Sequence, residues 1–198
     1  FYNNAGRGLP VGNGMMLAFD AHTGMTKCLL QDEGFLTDLR TSLAGAIAGK
    51  YLGPKTINRI GIIGTAVQAR LQLTSLGYVN SCRDVLVWGR DKSKAEKYKH
   101  DMQDAGFKVE VANAIADVPA NCNIIITTTP SQSALLDAKE IQPGTHITTM
   151  GSDADGKQEL DPEILAKATI IACDSISQCV DHGEVFHAIK AGLITPDK

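Results

Sequence analysis

The chain reads as an α/β protein: a doubly wound parallel sheet preceded by part of a second, sheet-containing domain. Three observations predict this. Short apolar runs alternate with helical stretches from residue 59 onward. The first run passes through a glycine turn straight into a helical pattern. The residues before Gly53-Pro54 follow a different plan.

Taken in order, the chain opens without an initiator Met, and Asn3 to Asn13 are rich in Gly and Asn. It is expected to start inside another domain. Met15-Met-Leu-Ala-Phe19 and Met25 to Leu30 are apolar runs joined by Asp20-Ala-His-Thr-Gly24, which predicts a β-hairpin at the edge of a sheet. Thr37 is a candidate N-cap for a helix running to Tyr51. The helix's small residues (Ala44, Gly45, Ala46, Ala48, Gly49) predict close packing against another backbone, and Gly53-Pro54 ends it. Residues 1–54 are therefore expected to be a partial substrate-binding or dimerisation domain with its connecting helix. Residues 55–198 are expected to be a nucleotide-binding domain.

Within that second part, strands are predicted at 59–63, Asp84–Trp88, Phe107–Val111, Asn123–Thr128, Thr145–Met150 and Thr169–Cys173. Their continuous Ile, Val, Leu and Thr runs suit strands buried on both faces. Helical stretches are predicted at 66–77, Lys92–Ala105, near Asn113–Val118, Asp137–Ile141 and Pro162–Lys167. Six strands joined by helices make a Rossmann-type sheet.

Composition narrows the function. Net charge is −3 with no basic block, so nucleic acid is not an expected partner. No apolar stretch approaches the roughly 18–20 residues that span a bilayer, so no membrane is expected. No signal peptide is visible, and five cysteines without a Cys-x-x-Cys pair read as reduced thiols in a cytoplasmic protein. His182 and His187 lack the spacing of a helical zinc site, so no metal is expected.

Four segments carry candidate chemistry. Gly64-Thr65-Ala66-Val67-Gln68-Ala69 follows the first strand; its backbone N–H groups would face a dinucleotide pyrophosphate at a helix N-terminus. Ala66 stands where the usual motif has its middle glycine, which predicts a shifted or weakened contact. The same loop reads alternatively as a glycine turn with no nucleotide. The second strand ends in Gly89-Arg90-Asp91-Lys92. Gly89 lies 25 residues after Gly64, where an NAD site usually carries a carboxylate. Its absence beside Arg90 and Lys92 favours NADP(H) over NAD(H); the alternative is a solvated turn with Asp91 capping the next helix. Thr127-Thr128-Thr-Pro130 ends the fourth strand, where such folds collect ligands, or is simply a β-propensity run closed by proline. Met150-Gly-Ser-Asp153 through Lys157-Gln-Glu159-Leu-Asp161 offers a general acid or base, or a polar loop in which Asp161-Pro162 opens a helix.

Together, Gly34-Phe-Leu-Thr37-Asp-Leu-Arg40-Thr41, Gly61 to Arg70, Thr127 to Pro130, and Gly151 to Leu160 resemble the ornithine cyclodeaminase/mu-crystallin family. Leu9-Pro10 through Gly14-Met15-Met16, His146 to Asp153, Cys173-Asp-Ser, Gln178-Cys179 and Gly183-Glu184 resemble its ectoine-utilisation branch. The resemblance implies that Arg40 pairs with a substrate carboxylate and that Asp153 is the catalytic acid/base. It implies that Val67 and Gln68 meet the cofactor phosphates, that Thr127 and Ile147 to Met150 lie near the nicotinamide, and that Lys157 is a neighbouring cofactor contact. Gly89 followed by Arg90 matches the NADPH-using members. The implied reaction is hydride transfer at the α-carbon of a small amino acid or cyclic imine, as cyclodeamination or imine reduction, in a homodimer. The alternative is a non-catalytic NADPH-dependent small-molecule-binding protein of mu-crystallin type. In the family a further N-terminal segment carries a substrate-binding lysine, and its members usually exceed 300 residues.

Overall fold

The computed structural model describes residues 2–9 and 12–196. Phe1 and Pro10, which the sequence reading touches, lie outside the described residues. Two compact units divide at Thr41/Ser42, within the long first helix and N-terminal to Gly53-Pro54.

The N-terminal unit contains a 3-10 helix, Tyr2–Arg7, that the Gly/Asn-rich sequence does not predict. The expected hairpin is present: β1 (Met16–Phe19) pairs antiparallel with β2 (Thr26–Leu30). Asp20 shapes the connection by accepting the N–H groups of His22 and Thr23, each at 2.9 Å. Helix α1 spans Phe35–Leu52. Thr37 is not its cap. The Asp32 carboxylate accepts the Leu36 N–H at 2.8 Å instead, one turn earlier, and Thr37 lies inside the helix.

In the larger unit, β3 (Ile60–Ile63), β4 (Asp84–Trp88), β5 (Lys108–Val111), β6 (Ile124–Thr127) and β8 (His146–Thr149) form one parallel sheet in the order β5-β4-β3-β6-β8. Five of the six expected strands are therefore found. Thr169–Cys173 is not a strand, and Ile170 is exposed. Its β-branched composition pairs with no strand of the sheet, and propensity without a pairing partner does not make a strand. A separate parallel pair, β7 (Gln132–Leu136) with β9 (Gln158–Leu160), was not expected.

Helices α2 (Val67–Gly77), α3 (Lys92–Asp104) and α5 (Pro162–Lys167) lie where the pattern predicts. The short α4 is Asp117–Asn121, displaced from 113–118, and Asp137–Ile141 is a turn held by Glu140 N–H to Asp137 O. Two further helices, α6 (Ile176–Cys179) and α7 (Gly183–Lys190), complete the unit.

The alternation along each strand divides the core in two. Ile60, Ile62, Val85, Val87, Ile124 and Ile126 pack with Leu73 and Leu76 of α2 and Tyr98 and Met102 of α3. Ile63, Leu86 and Ile125 face the other way, onto Val118 of α4, Ile164 and Leu165 of α5 and Ala188 of α7. Each fully buried Ile or Leu contributes about 1.5–3 kcal/mol. From Ser42 onward, α1 packs on this unit through a buried Ser42–Ser75 hydroxyl contact of 2.9 Å. Its glycines approach side chains, not backbone: Gly45 meets Gln72, and Gly49 meets Leu76 and Ile124.

Cys122, buried behind β3, has its thiol pushed up to about 12 by burial. Iodoacetamide at pH 8 is therefore expected to leave Cys122 unmodified in the native protein and to alkylate it once urea unfolds the chain, as read by peptide mass spectrometry.

Candidate functional site

The sheet order reverses at β3: the chain leaves it for β4 on one side and later returns to β6 on the other. Crevices at such switch points open at the carboxyl ends of the strands. Here those ends are Gly64 after β3, Gly89 after β4, Thr127–Thr128 at β6 and Met150 after β8.

Gly64 has φ +118°, a region closed to most L-residues, and an added Cβ would lie 2.4 Å from Thr128 Oγ1. Its N–H donates to Trp88 O and the Thr128 N–H donates to Ile63 O, each at 2.9 Å, so the turn is tied to both neighbouring strands. Ala66 is extended (φ −88°, ψ −167°) and forms the N-cap of α2 without any side-chain cap bond. Thr65 and Gln68 are half-buried, while Ala66 and Val67 are exposed. An accessible helix start without a capping side chain presents N–H groups and the positive end of the helix dipole, which suits an anion.

The loop is held from beneath by Arg70, whose role the sequence reading missed. Arg70 Nη1 donates to the carbonyls of Thr65 and, at 3.2 Å, Ala66. Its Nε and Nη2 donate to Asp101 Oδ2 at 3.0 and 2.6 Å, and its guanidinium lies 5.1 Å from the Tyr98 ring centre. Lys97 and Arg70 together hold the Asp101 carboxyl below its ordinary range.

At the β4 end, a Cβ on Gly89 would meet Thr65 Cγ2 at 2.7 Å, so the loop and this strand end sit close. Asp91 caps α3, accepting the N–H groups of Ser93 and Lys94 at 2.9 and 3.2 Å. Arg90 and Lys92 remain exposed beside it.

At the β6 and β8 ends, the Met150 N–H donates to Thr127 O at 2.9 Å. Thr127 is fully buried and its hydroxyl donates to Glu159 Oε2 at 2.7 Å, whereas Thr128 and Met150 are half-buried. Asp153 and Lys157 come together at 2.5 Å; the Asp153 carboxylate is largely exposed and the Lys157 side chain largely covered. Arg40 is exposed on the second turn of α1, in the N-terminal unit.

Two buried carboxylates lie behind this end of the sheet, and no local signal distinguished them. Glu159 has no exposed surface. It accepts from Thr127 Oγ1, Thr129 N (2.6 Å), Thr129 Oγ1 (2.7 Å) and Gly151 N (3.0 Å). Glu184 of α7 accepts the N–H groups of Glu159 (2.7 Å) and Leu160 (3.1 Å) and the hydroxyl of Ser152. Among the described residues no group of three or more His, Cys, Asp and Glu could hold a metal ion, and no helix is long and apolar enough to cross a membrane.

The ornithine cyclodeaminase/mu-crystallin family model matches residues 1–195, and the chain belongs to that family. An uncharacterized cyclodeaminase of Sinorhizobium fredii is 40% identical over 198 residues, all of this chain and 60% of the relative. An archaeal alanine dehydrogenase dimer with bound NAD superposes with a TM-score of 0.91 at 34% identity, over 98% of this chain and 60% of that one. Thermococcus litoralis Δ1-pyrroline-2-carboxylate reductase, in complex with NADH and L-proline, gives 0.91 at 28% identity, over 100% and 61%. The chain thus spans about 60% of the length of these relatives.

Burial raises the Glu159 carboxyl above its ordinary value of 4.5 despite its four donors. A carboxyl raised in the folded state favours folding most when it is protonated, below the unfolded value, and this contribution is lost as pH rises through the folded value. The Tm advantage of wild type over Glu159→Gln is therefore expected to be largest below about pH 4.5 and to narrow as pH rises; comparing the two proteins cancels the other carboxylates.

Proposed function

We propose that the protein is an NAD(P)-dependent enzyme acting at the α-carbon of a small amino acid or cyclic imine, by cyclodeamination or imine reduction. One observation carries this reading. Three adjacent parallel strands, β3, β6 and β8, end side by side in a glycine turn with an uncapped helix start, a threonine pair, and a loop bearing a paired aspartate and lysine. The residues fit a dinucleotide. The glycine turn admits close approach, the helix start offers donors to a pyrophosphate, and no capping side chain competes for them.

In this reading the backbone of Gly64, Thr65, Ala66, Val67 and Gln68 holds the pyrophosphate. Gly89 leaves room at the ribose, and Arg90 meets a 2′-phosphate, so NADP(H) is favoured over NAD(H). Asp91 is committed to capping α3, which leaves the exposed Arg90 and Lys92 as the cations beside that strand end. Thr127, Thr128 and Met150 flank the nicotinamide, which when bound supplies or accepts a hydride at the substrate α-carbon. Asp153 exchanges the proton with the amine, the imine or an attacking water. Lys157 pairs with that carboxylate and is a neighbouring cofactor contact. Arg40 binds the substrate carboxylate, since a guanidinium fork matches it bidentately.

The division of labour at 54/55 and a homodimer belong to the same proposal. A two-stranded hairpin is marginal by itself, and Leu17, Phe19, Met25, Leu29 and Leu30 all stand exposed on it. A second copy would cover them. An ectoine-linked substrate rests only on the sequence resemblance.

Titration of the intact protein with NADPH and NADH by cofactor fluorescence is expected to give binding, with turnover of an amino acid or cyclic imine. Asp153→Asn is expected to lower kcat by about 10²–10⁴-fold while cofactor affinity is retained. Binding of NADPH with no turnover of amino acids or cyclic imines would instead support the mu-crystallin type of small-molecule binder. Arg90→Ala is expected to weaken NADPH by about tenfold and NADH little; equal effects would sink the 2′-phosphate assignment. Leu17→Asp combined with Phe19→Asp is expected to convert a dimer to a monomer in light scattering.

A further inference from the structure

We propose that Glu159, seated by Glu184, is the positioning residue of the active site: a single buried carboxylate sets the loops that follow β6 and β8 in their working geometry. The inference rests on the reading above, in which those two loops flank the nicotinamide and carry Asp153.

All four donors to Glu159 come from the last residue of β6 and from those loops. Oε2 joins Thr127 Oγ1, at the end of β6, to Gly151 N, after β8. Oε1 takes both the N–H and the hydroxyl of Thr129. One planar group therefore fixes residues 127 and 129 against residue 151. The fit is tight enough to exclude any side chain at 151: a Cβ there would lie 2.2 Å from Thr129 O and 2.5 Å from Glu159 Oε2.

The carboxylate is itself held. Glu184 accepts from the backbone N–H groups of Glu159 and Leu160, so β9 cannot slide. Its same Oε1 accepts the Ser152 hydroxyl, and Ser152 immediately precedes Asp153. On the far side of the loop, His187 Nε2 lies 2.8 Å from Lys157 O. The segment bearing Asp153 is thus pinned at Gly151, Ser152 and Lys157, while the Asp153 carboxylate stays open to solvent.

Hydrophobic packing could join these segments at lower cost than a desolvated acid. What it could not do is set their relative orientation, because dispersion contacts have little direction while hydrogen bonds have strong angular preference. Orientation is what a hydride donor and an acid/base require, and misplacement by about 1 Å can cost about 10²-fold in rate.

The test uses the intact protein and four variants: Glu159→Gln, Thr129→Val, Thr129→Ser and the Glu159→Gln/Thr129→Val double. Gln places an N–H₂ against at least one donor while keeping size. Cofactor affinity by fluorescence, kcat, KM and Tm are measured for each. Glu159→Gln is expected to lower kcat about tenfold or more, with cofactor affinity within about twofold and the protein folded at the assay temperature. Thr129→Val should fall part of the way, Thr129→Ser should retain wild-type kcat, and the double should fall no further than Glu159→Gln, because both changes act through one group.

Wild-type kcat in Glu159→Gln, additive losses in the double, or a Thr129→Ser as slow as Thr129→Val would each overturn the proposal. Should Glu159→Gln not fold, the Thr129 pair decides, since both variants keep the carboxylate and the Thr129 N–H bond. A wild-type protein that binds no nicotinamide cofactor, or turns over no substrate, fails the functional reading and takes the positioning role with it. An active wild type with an equally active Glu159→Gln fails the positioning role alone.

Discussion

Moving a carboxylate out of water costs several kcal/mol unless its lone pairs find donors, and Glu159 satisfies that condition with four donors from the end of β6 and the loops after β6 and β8. The surrounding structure follows from the requirement. Thr127 and Thr129 supply hydroxyls on either side of Thr128, which faces the glycine turn. Gly151 lacks a side chain because its N–H must come within 3.0 Å of the acid. β9 is a short strand paired with β7, and its position is set from α7 by a second acid, Glu184. A polar contact with strict geometry thus organises an end of the sheet that apolar packing alone would leave loosely specified.

The opposite flank of the crevice uses a different device. There the turn must stay open above and firm below. Above, Gly64, Ala66 and Val67 leave the start of α2 without a capping side chain. Below, Arg70 gathers the carbonyls of Thr65 and Ala66 and is in turn fixed by Asp101 and the face of Tyr98. Tyr98 closes the circuit with its hydroxyl on Ala69 O at 3.1 Å. One guanidinium thus occupies the carbonyls of Thr65 and Ala66 at the accessible start of α2.

Local chemistry was legible in the sequence; long-range pairing was not. The buried strands of the central sheet were readable because Ile60–Ile63, Val85–Val87 and Ile124–Ile126 are apolar on both faces. Asp91 and Asp161 were readable as caps because capping spans two or three residues. Gly64 announced its turn. Thr169–Cys173 misled, because a β-branched run carries no information about whether it will find a pairing partner. Gln158-Glu159-Leu160 was unreadable as a strand because its central acid is satisfied by residues 8 to 32 positions away. Glu184 reaches back 24 to 32 residues, and Arg70 finds Asp101 at a separation of 31. The motif residues of the candidate site were thus named from sequence, while the residues that hold them in place emerged only from the fold.

Each oxygen of Glu159 touches one backbone N–H and one threonine hydroxyl. The N–H groups can only donate, but a hydroxyl can turn and accept. Either oxygen can therefore take up a proton and find its acceptor already in place, with no heavy atom moving. The junction of the two loops can therefore keep its hydrogen-bond partners in either charge state of the acid at its centre, although its stability changes with that charge. The framework around Asp153 can keep its shape while the proton inventory of the site changes around it.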